Sequence, residues 1–409
     1  MHTSLIIITY NHAEHIGACL EAVGRLEPAG TLELIVLDNG SHDGTPELVR
    51  QRFPQVRLLA EAENWGFAGG VNRAVAAAQG ARVALLNPDA APEPGWLRAL
   101  LARLDAPDVG VVGSKVLGAG GRLQSAGTLI DRRAVLTSHR GGDEPDRGQY
   151  DTPAELEAVH GAAMAFPRAL WQELGGFDEG FFPAYWEEVD FCVRARQTGR
   201  RVLVAPDAVV RHEHEASATG KYSAEFYGYY HRNRLRYAAK WLPWPELWGS
   251  FRPAEHMRLA GAPPLDRRVA RLVYEQGVPP LGPLDADGRA AVRALGQALR
   301  SGSLPDDGEP ALAGFLAQAT ENAVLEEVQF RSGLPLVARL RTAWNNVATR
   351  WYVRPSLDQQ TRFNLAVQRA LAEMSARAAA RAAADALDIA LLRRRLEQET
   401  GSGKKGVPQ

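Results

Sequence analysis

The chain has 409 residues, enough for two domains or one large one with a well-filled core. Its 47 Lys and Arg stand against 48 Asp and Glu, a formal charge of −1, so no broad basic field points to nucleic acid. Two cysteines, Cys19 and Cys192, are too few for a disulfide framework, and no window approaches the ~20 apolar residues of a membrane span. These bounds favour a cytoplasmic protein with at most a peripheral contact on the inner face of a membrane. The opening MHTSLIIITYN is apolar for a few residues and lacks a basic start, so it reads as a strand and not as a signal peptide.

From residue 3 to 115 buried strands alternate with helices. Leu5–Ile8, Leu34–Leu37, Val56–Leu59, Val83–Leu86 and Val109–Gly113 are the strand candidates; helices are expected at about Glu14–Val23, Thr45–Phe53, Ala68–Ala78 and Gly95–Leu104. That alternation predicts an α/β fold, a mostly parallel sheet covered on both faces. Ligands in such sheets bind at the carboxyl ends of the strands. Polar residues cluster there: Thr9-Tyr10-Asn11, Asp38-Asn39-Gly40 and Asn87-Pro88-Asp89 each follow a strand. Residues 118–158 contain a Gly-, Asp- and Arg-rich loop, SHRGGDEPDRGQYDTP.

Each polar cluster has a chemical reading and a plainer one. Asp38 can accept a hydrogen bond from a pyrimidine N3–H, although DNGS is also simply a good turn. In Asn64-Trp65-Gly66-Phe67-Ala68-Gly69-Gly70-Val71-Asn72-Arg73, small residues let backbone approach a diphosphate or sugar, with Asn64, Gly66, Asn72 and Arg73 at hand. The block matches neither the P-loop nor the dinucleotide fingerprint. Asp89 can supply one carboxylate to Mg2+ or Mn2+ bridging two phosphates.

The segment Gly175–Ser217 carries the densest chemistry. Glu187, Glu188 and Asp190 sit just ahead of a short helical pattern ended by Gly199, and the run Val202–Val210 then reads as a strand delivering His212 and His214. Carboxylates crowded near imidazoles suit a general base beside a divalent cation. An acidic helix start with surface histidines is the plainer alternative. Residues 222–244 interleave aromatics with Arg232, Arg234, Arg236 and Lys240, as either a capping helix or a surface for a polyprenyl-diphosphate acceptor or anionic membrane. Past about residue 245, Pro- and Gly-bearing breaks near 261–264, 277–288 and 301–310 separate helices without strands. A long helix, about Leu357–Glu399, carries a Leu387, Leu391, Leu392, Leu396 stripe that suits self-association or docking to a partner enzyme, and 400–409 reads as a disordered tail.

Seven ordered blocks, IIITYN at 6–11, LDNGSHDGT at 37–45, NWGFAGGVN at 64–72, LLNPDA at 85–90, GAAMAFPRALWQELGGFDEGFF at 161–182, EEVDFCVRA at 187–195 and PDAVVRH at 206–212, resemble family 2 inverting glycosyltransferases, particularly bacterial rhamnosyltransferase-like members. The resemblance covers residues 3–240. It implies a GT-A-type, Rossmann-like catalytic domain over 1–245, followed by a helical region over 246–409. It further implies that Asp38 binds the nucleotide base, that Asp89 holds Mn2+ or Mg2+ and the diphosphate, that Glu188 is the catalytic base and that His212 is a further metal ligand. Asn87 stands where the family's metal motif has its first acid, and Glu188 where it has an aspartate. The implied reaction moves a sugar, L-rhamnose among the candidates, from a nucleotide-sugar to a glycan or polyprenyl-linked acceptor, with inversion. A sugar-1-phosphate nucleotidyltransferase fits less well, because TYNHAEH lacks the glycines and cation its first loop needs. A non-catalytic nucleotide-sugar-binding scaffold remains the alternative outside enzyme chemistry.

Overall fold

The computed structural model describes residues 2–27, 30–212, 223–243 and 246–276. All belong to the first of the chain's two units, Met1–Ser303 with Leu392–Gln409; the second, Leu304–Leu391, lies outside the described residues. So do His214, the breaks near 277–288 and 301–310, the long helix expected over 357–399 and the tail.

The first half alternates as its pattern predicts. Strands β1 (Thr3–Thr9), β2 (Leu32–Asp38), β3 (Arg57–Ala60) and β4 (Arg82–Leu86) are separated by helices α1 (Ile16–Val23), α2 (Thr45–Arg52) and α3 (Gly66–Ala77). A short β5 (Ala90–Pro92) precedes α4 (Trp96–Leu104) and β6 (Val109–Leu117). Parallel pairing sets Thr9 opposite Asp38, so the first two strands end in step. Leu5 and Ile7 face one layer with Val36, Ala84 and Leu86 against α1, α2 and α4, and each such buried side chain contributes about 1.5–3 kcal/mol of transfer free energy. The alternate Ile8 meets α3, where Gly70 has no room for a Cβ: one would stand 2.9 Å from Ile8 and 3.0 Å from Asn39.

The middle of the chain adds strands around the expected loop. Besides the loop that follows His139, residues 118–158 form β7 (Leu123–Ser125), the hairpin β8 (Thr128–Asp131) and β9 (Leu136–His139), and β10 (Ala154–Glu155). Buried Lys115 holds the 146–151 turn through Asp146 and Asp151. Strand β11 (Ala163–Pro167) then runs antiparallel between β4 and β6, followed by α5 (Arg168–Glu173). The ten-stranded sheet is therefore mixed, in the order β10-β12-β6-β11-β4-β1-β2-β3 with β5 on β12 and β7 on β6. Helix α6 (Glu187–Gln197) begins with the acidic residues, which lie in its first turn and not ahead of it. Its Phe191 stacks on Phe177 at 4.4 Å and tilts onto Phe166 at 5.0 Å, sealing the second face of the sheet.

Strand β12 (Arg201–His212) reaches two residues beyond its apolar run and pairs with both β6 and β5. Helix α7 (Ala224–Trp241) is capped by Ser223, which accepts from the Phe226 amide at 3.1 Å. After a wide turn over Leu247–Phe251 come α8 (Arg252–Gly261) and α9 (Pro264–Gln276). These pack on α7 through a buried ion network. Arg234 pairs with Glu255 at 2.6 Å, Glu255 with Arg258, and Asp266 with both Arg258 and His231. Arg234 also donates to the carbonyls of Ala134 and Val135 beside the β8–β9 hairpin. Between the two readings of 222–244, the capping helix prevails: Arg234, Arg236 and Lys240 are engaged inside the protein, the last two on Asp178. No described helix is long and apolar enough to cross a membrane.

Candidate active site

The turns after β1 and β2 are laced together by side chains. The Asn11 amide donates to Ser41 Oγ at 2.8 Å, His42 N to Asn11 Oδ1 at 2.8 Å, His12 N to Thr45 Oγ1 at 3.0 Å and Ala13 N to Asp43 Oδ2 at 2.9 Å. Asn11 adopts a left-handed φ of 56°, which its short polar side chain tolerates. Beneath this lattice Asp38 is buried. Its Oδ2 accepts from Ser41 N at 3.0 Å, while its Oδ1 has no protein partner. A buried carboxylate oxygen with nothing to accept is a costly feature unless a ligand donor completes it. Thr9 lies alongside with its Oγ1 likewise unpartnered.

Asn39 joins this region to the next turn, donating to Gly66 O at 2.9 Å and accepting from Trp65 N at 3.3 Å. Asn64 closes a tight turn by accepting from Gly66 N at 2.8 Å. Gly66 has a φ of 69° and sits against Pro183, where a Cβ would come within 2.8 Å of the Pro183 carbonyl. Tyr10 and Trp65, one from each flanking turn, stay over a third exposed at 39% and 38%, and the Arg73 guanidinium stacks 3.7 Å from the Trp65 ring. Asn72 does not face the donor side. Its Oδ1 accepts from Trp171 Nε1 and Phe177 N, and its Nδ2 donates to Phe177 O and Glu179, so it ties α3 to the 171–179 segment.

The turn after β4 meets the end of β12 because β5 pairs antiparallel with that strand, His212 opposite Ala90. His212 Nε2 thereby lies 3.0 Å from Asp89 Oδ1 and 3.4 Å from Asn87 Nδ2, across more than 120 residues of sequence. Its Nδ1 is 2.9 Å from Gln124 Oε1. With Nδ1 donating to that oxygen, Nε2 turns a lone pair toward a carboxylate oxygen unless a proton or a cation lies between them. Burial pushes the Asp89 pKa up, but the His212 hydrogen bond and the His212 and His12 imidazoles outweigh it and hold the carboxyl below its usual range. Asp89 Oδ2 is buried and unpartnered. Among the described residues no group of three or more His, Cys, Asp or Glu is arranged to hold a metal ion. A carboxylate and an imidazole are what this site offers, a set suited to a hard cation that takes its remaining oxygens from phosphate and water.

The third component is the first turn of α6. Glu187 is buried with Oε2 unpartnered. Glu188 is half-buried and lies against Gly161, where a Cβ would stand only 3.3 Å from its Cγ. Neighbouring Ala162 accepts from Asn87 N at 2.8 Å, so the strip 160–162 brings the Glu188 side chain alongside the Asn87–Asp89 turn. Burial raises the Glu188 pKa to about 7. Burial, followed by the Glu188 charge, raises that of Glu187 well above the ordinary carboxylate range. Asp190, expected as a third candidate base, is engaged elsewhere. Its Oδ2 accepts from Arg194 at 2.8 Å, and its Oδ1 meets Trp241 Nε1 at 2.9 Å and Lys240 at 2.7 Å, which makes it an anchor between α6 and α7.

The structure adds residues that sequence reading passed over. His12 is buried near Asp89 with Nε2 unpartnered. His160 stands 5.9 Å from His212 and 4.8 Å from His139, ring to ring, and burial followed by those two imidazoles lowers its pKa well below the usual value. Gln124 orients His212. Only His12 and His160 carried a signal, as histidines beside the conspicuous blocks; Gln124 lay in a stretch to which no motif was assigned.

Comparison with known proteins locates this arrangement. Residues 4–171 match the model of glycosyl transferase family 2. That match stops short of Glu187, Glu188 and His212. The chain is 30% identical over 226 residues to uncharacterized protein y4gI of Sinorhizobium fredii, an alignment covering 53% of this chain and only 25% of that protein. It is 27% identical over 299 residues to the N-acetylglucosaminyl-diphospho-decaprenol L-rhamnosyltransferase of Mycobacterium tuberculosis, covering 64% of this chain and 95% of the relative. Among solved structures, that of GalNAc-T7 with UDP, GalNAc and Mn2+ superposes with a TM-score of 0.51 at 14% identity, over 72% of this chain and 54% of that one. The fold is thus the GT-A type, and residues 4–171 are similar to glycosyl transferase family 2.

Proposed function

We propose that this glycosyltransferase moves a sugar, L-rhamnose first among the candidates, from a nucleoside-diphosphate donor to a hydroxyl of a glycan or polyprenyl-linked acceptor, with inversion, in cell-surface polysaccharide assembly. The observation that carries the reading is the Asp89–His212 pair in the turn after β4, together with Glu188, whose pKa of about 7 suits a general base and which lies against Gly161, next to the residue that binds that turn. The rhamnosyltransferase relative, matched over nearly its whole length, supports the sugar and a polyprenyl-linked acceptor.

The residues divide the work as follows. Asp38 Oδ1 accepts from the base of the nucleotide, and Tyr10 and Trp65 flank it. Glu188, ionised, takes the proton of the acceptor hydroxyl as that oxygen bonds to the anomeric carbon. The bond from that carbon to the diphosphate breaks on the opposite face, and the proton ends on Glu188. Glu187, whose pKa burial and the Glu188 charge raise well above the ordinary carboxylate range, adds less negative charge beside the acceptor than an ordinary glutamate would. A divalent cation held by Asp89 and His212 would supply positive charge against the leaving diphosphate.

Incubation with labelled dTDP-rhamnose and a panel of UDP- and GDP-sugars, with Mn2+ and with chelator, tests this. Donor hydrolysis or transfer that needs the cation is expected, and Asp89→Asn should lower donor affinity by roughly 10–100-fold, the worth of a hydrogen bond to a charged group. Donor affinity that never responds to a divalent cation removes the metal from the reading. A chain that binds no nucleotide-sugar of the panel removes the donor class.

A further inference from the structure

Two consecutive residues other than glycine, Tyr185 and Trp186, adopt left-handed φ angles of 80° and 78° immediately before α6. Side chains with a Cβ disfavour that region, and a bulky pair persists there only when its surroundings hold it. Three features of α7 do so, and they lie on one face, at 233, 237 and 240/241. Tyr237 stacks its ring 4.7 Å from Trp186. Lys240 and Trp241 bind Asp190 in the first turn of α6. Asn233, with no exposed surface, points its Nδ2 at the backbone itself: 2.7 Å from Ala184 O, 3.2 Å from Tyr185 O and 3.4 Å from Phe182 O. A side chain with two N–H donors suits carbonyls converging in a buried place, and here the two nearer ones, of Ala184 and Tyr185, are in best reach.

We propose that Asn233 is a positioning residue for glycosyl transfer: its grip on the Phe182–Tyr185 backbone holds the left-handed Tyr185–Trp186 pair and thereby sets the direction in which Glu188 presents its carboxylate. The inference rests on Glu188 being the base. Rotation at Tyr185 or Trp186 turns the start of α6 as a unit, because Trp186 O accepts the helical bond from Asp190 N at 2.9 Å. Asn233 touches neither Asp38 nor Asp89, so its influence should fall on turnover and not on the donor.

The test compares Asn233→Leu and the smaller Asn233→Ser with the wild-type full-length chain. Donor hydrolysis should lose kcat by about 10–100-fold, as for a small misplacement of a reacting group, while donor KM stays within about twofold. The acid limb of kcat should move to lower pH as water reaches a loosened Glu188. Amide hydrogen exchange over 182–190 should quicken while β1 and β4 stay protected. In a Tyr185→Gly background, where φ near 80° is free of strain, the same Asn233 substitutions should cost about threefold or less in kcat. Unchanged exchange at 182–190, a loss of donor affinity matching the loss of kcat, or an equal loss in the Tyr185→Gly background would each overturn the proposal. Active wild type with inactive Glu188→Gln but fully active Asn233 variants sinks this inference alone. A Glu188→Gln chain as active as wild type sinks the base reading, and the inference with it.

Discussion

The two ends of the site, which we propose hold the donor and the catalytic base, are built by opposite means. At the donor end, neighbouring strands finish together and their turns hold one another through Asn11, Ser41, Asp43 and Thr45, all within about one βαβ unit. The base end depends on distant chain, because the Phe182–Trp186 turn is held by α7, some 50 residues on. Between the two ends, His212 reaches Asp89 only because β5 pairs with β12. On the proposed reading, donor recognition rests on the sheet and the base on a helix whose start depends on a second helix, so the two functions should be separable by mutation.

The largest separation should come from Glu188→Gln. Turnover should fall by about 10²–10⁴-fold while donor affinity, measured by calorimetry, is kept. In the wild type, kcat should rise with pH through about 7 and level off above it, because the base must be ionised. A variant with near-normal turnover would shift the role to Glu187 and erase the contrast drawn above.

Next in size is Glu255→Gln. Arg234 and Glu255 are both fully buried, so removing one charge strands the other at a cost of about 3–5 kcal/mol. Loss of melting temperature with donor binding retained in the folded fraction would place α8 and α9 in support of the base end. A truncation at residue 245 removes the same partner and should behave alike, whereas one after 276 leaves the network whole. If Glu255→Gln unfolds no more easily than wild type, the helices after 245 are independent of the catalytic half.

Asp38→Asn should cost roughly 1.5–3 kcal/mol in binding of a pyrimidine nucleoside diphosphate, and leave turnover of bound donor nearly untouched. Equal loss for purine nucleotides would remove the base-reading role.

The smallest effect is one of stability. Glu187 and Glu188 titrate higher folded than their ordinary value of 4.5, so between about 4.5 and 7 the unfolded chain binds fewer protons and stability falls as pH rises. Glu187→Gln removes part of that loss. The variant should melt higher than wild type at pH 8, and by less at pH 5; thermal scans at both values decide it.

Much of the donor end was legible because its signals are short-range. A run such as Leu5–Ile8 is too apolar to stay in water, and a polar triplet directly after it marks a carboxyl end, so the places of Thr9, Asp38 and Asp89 at or just past strand ends were legible. The acidic cluster at 187–190 was equally visible, but its division was not. Glu187, Glu188 and Asp190 look alike in sequence. What separates them is the Lys240, Arg194 and Trp241 contacts that occupy Asp190, and Gly161 lying against Glu188. The partners of Asn72 were hidden for the same reason, since an amide in a glycine-rich block gives no sign of which neighbour will claim its hydrogen bonds.

Composition and pattern by themselves determined the layered α/β fold and the identity of the chemical groups, because burial of strand faces is set by the residues that form them. Tertiary structure alone decided which groups meet. The antiparallel return of β11, the register of His212 against Ala90, and the face that α7 turns toward residues 182–190 all depend on contacts between distant segments, and no local propensity encodes a partner that far along the chain.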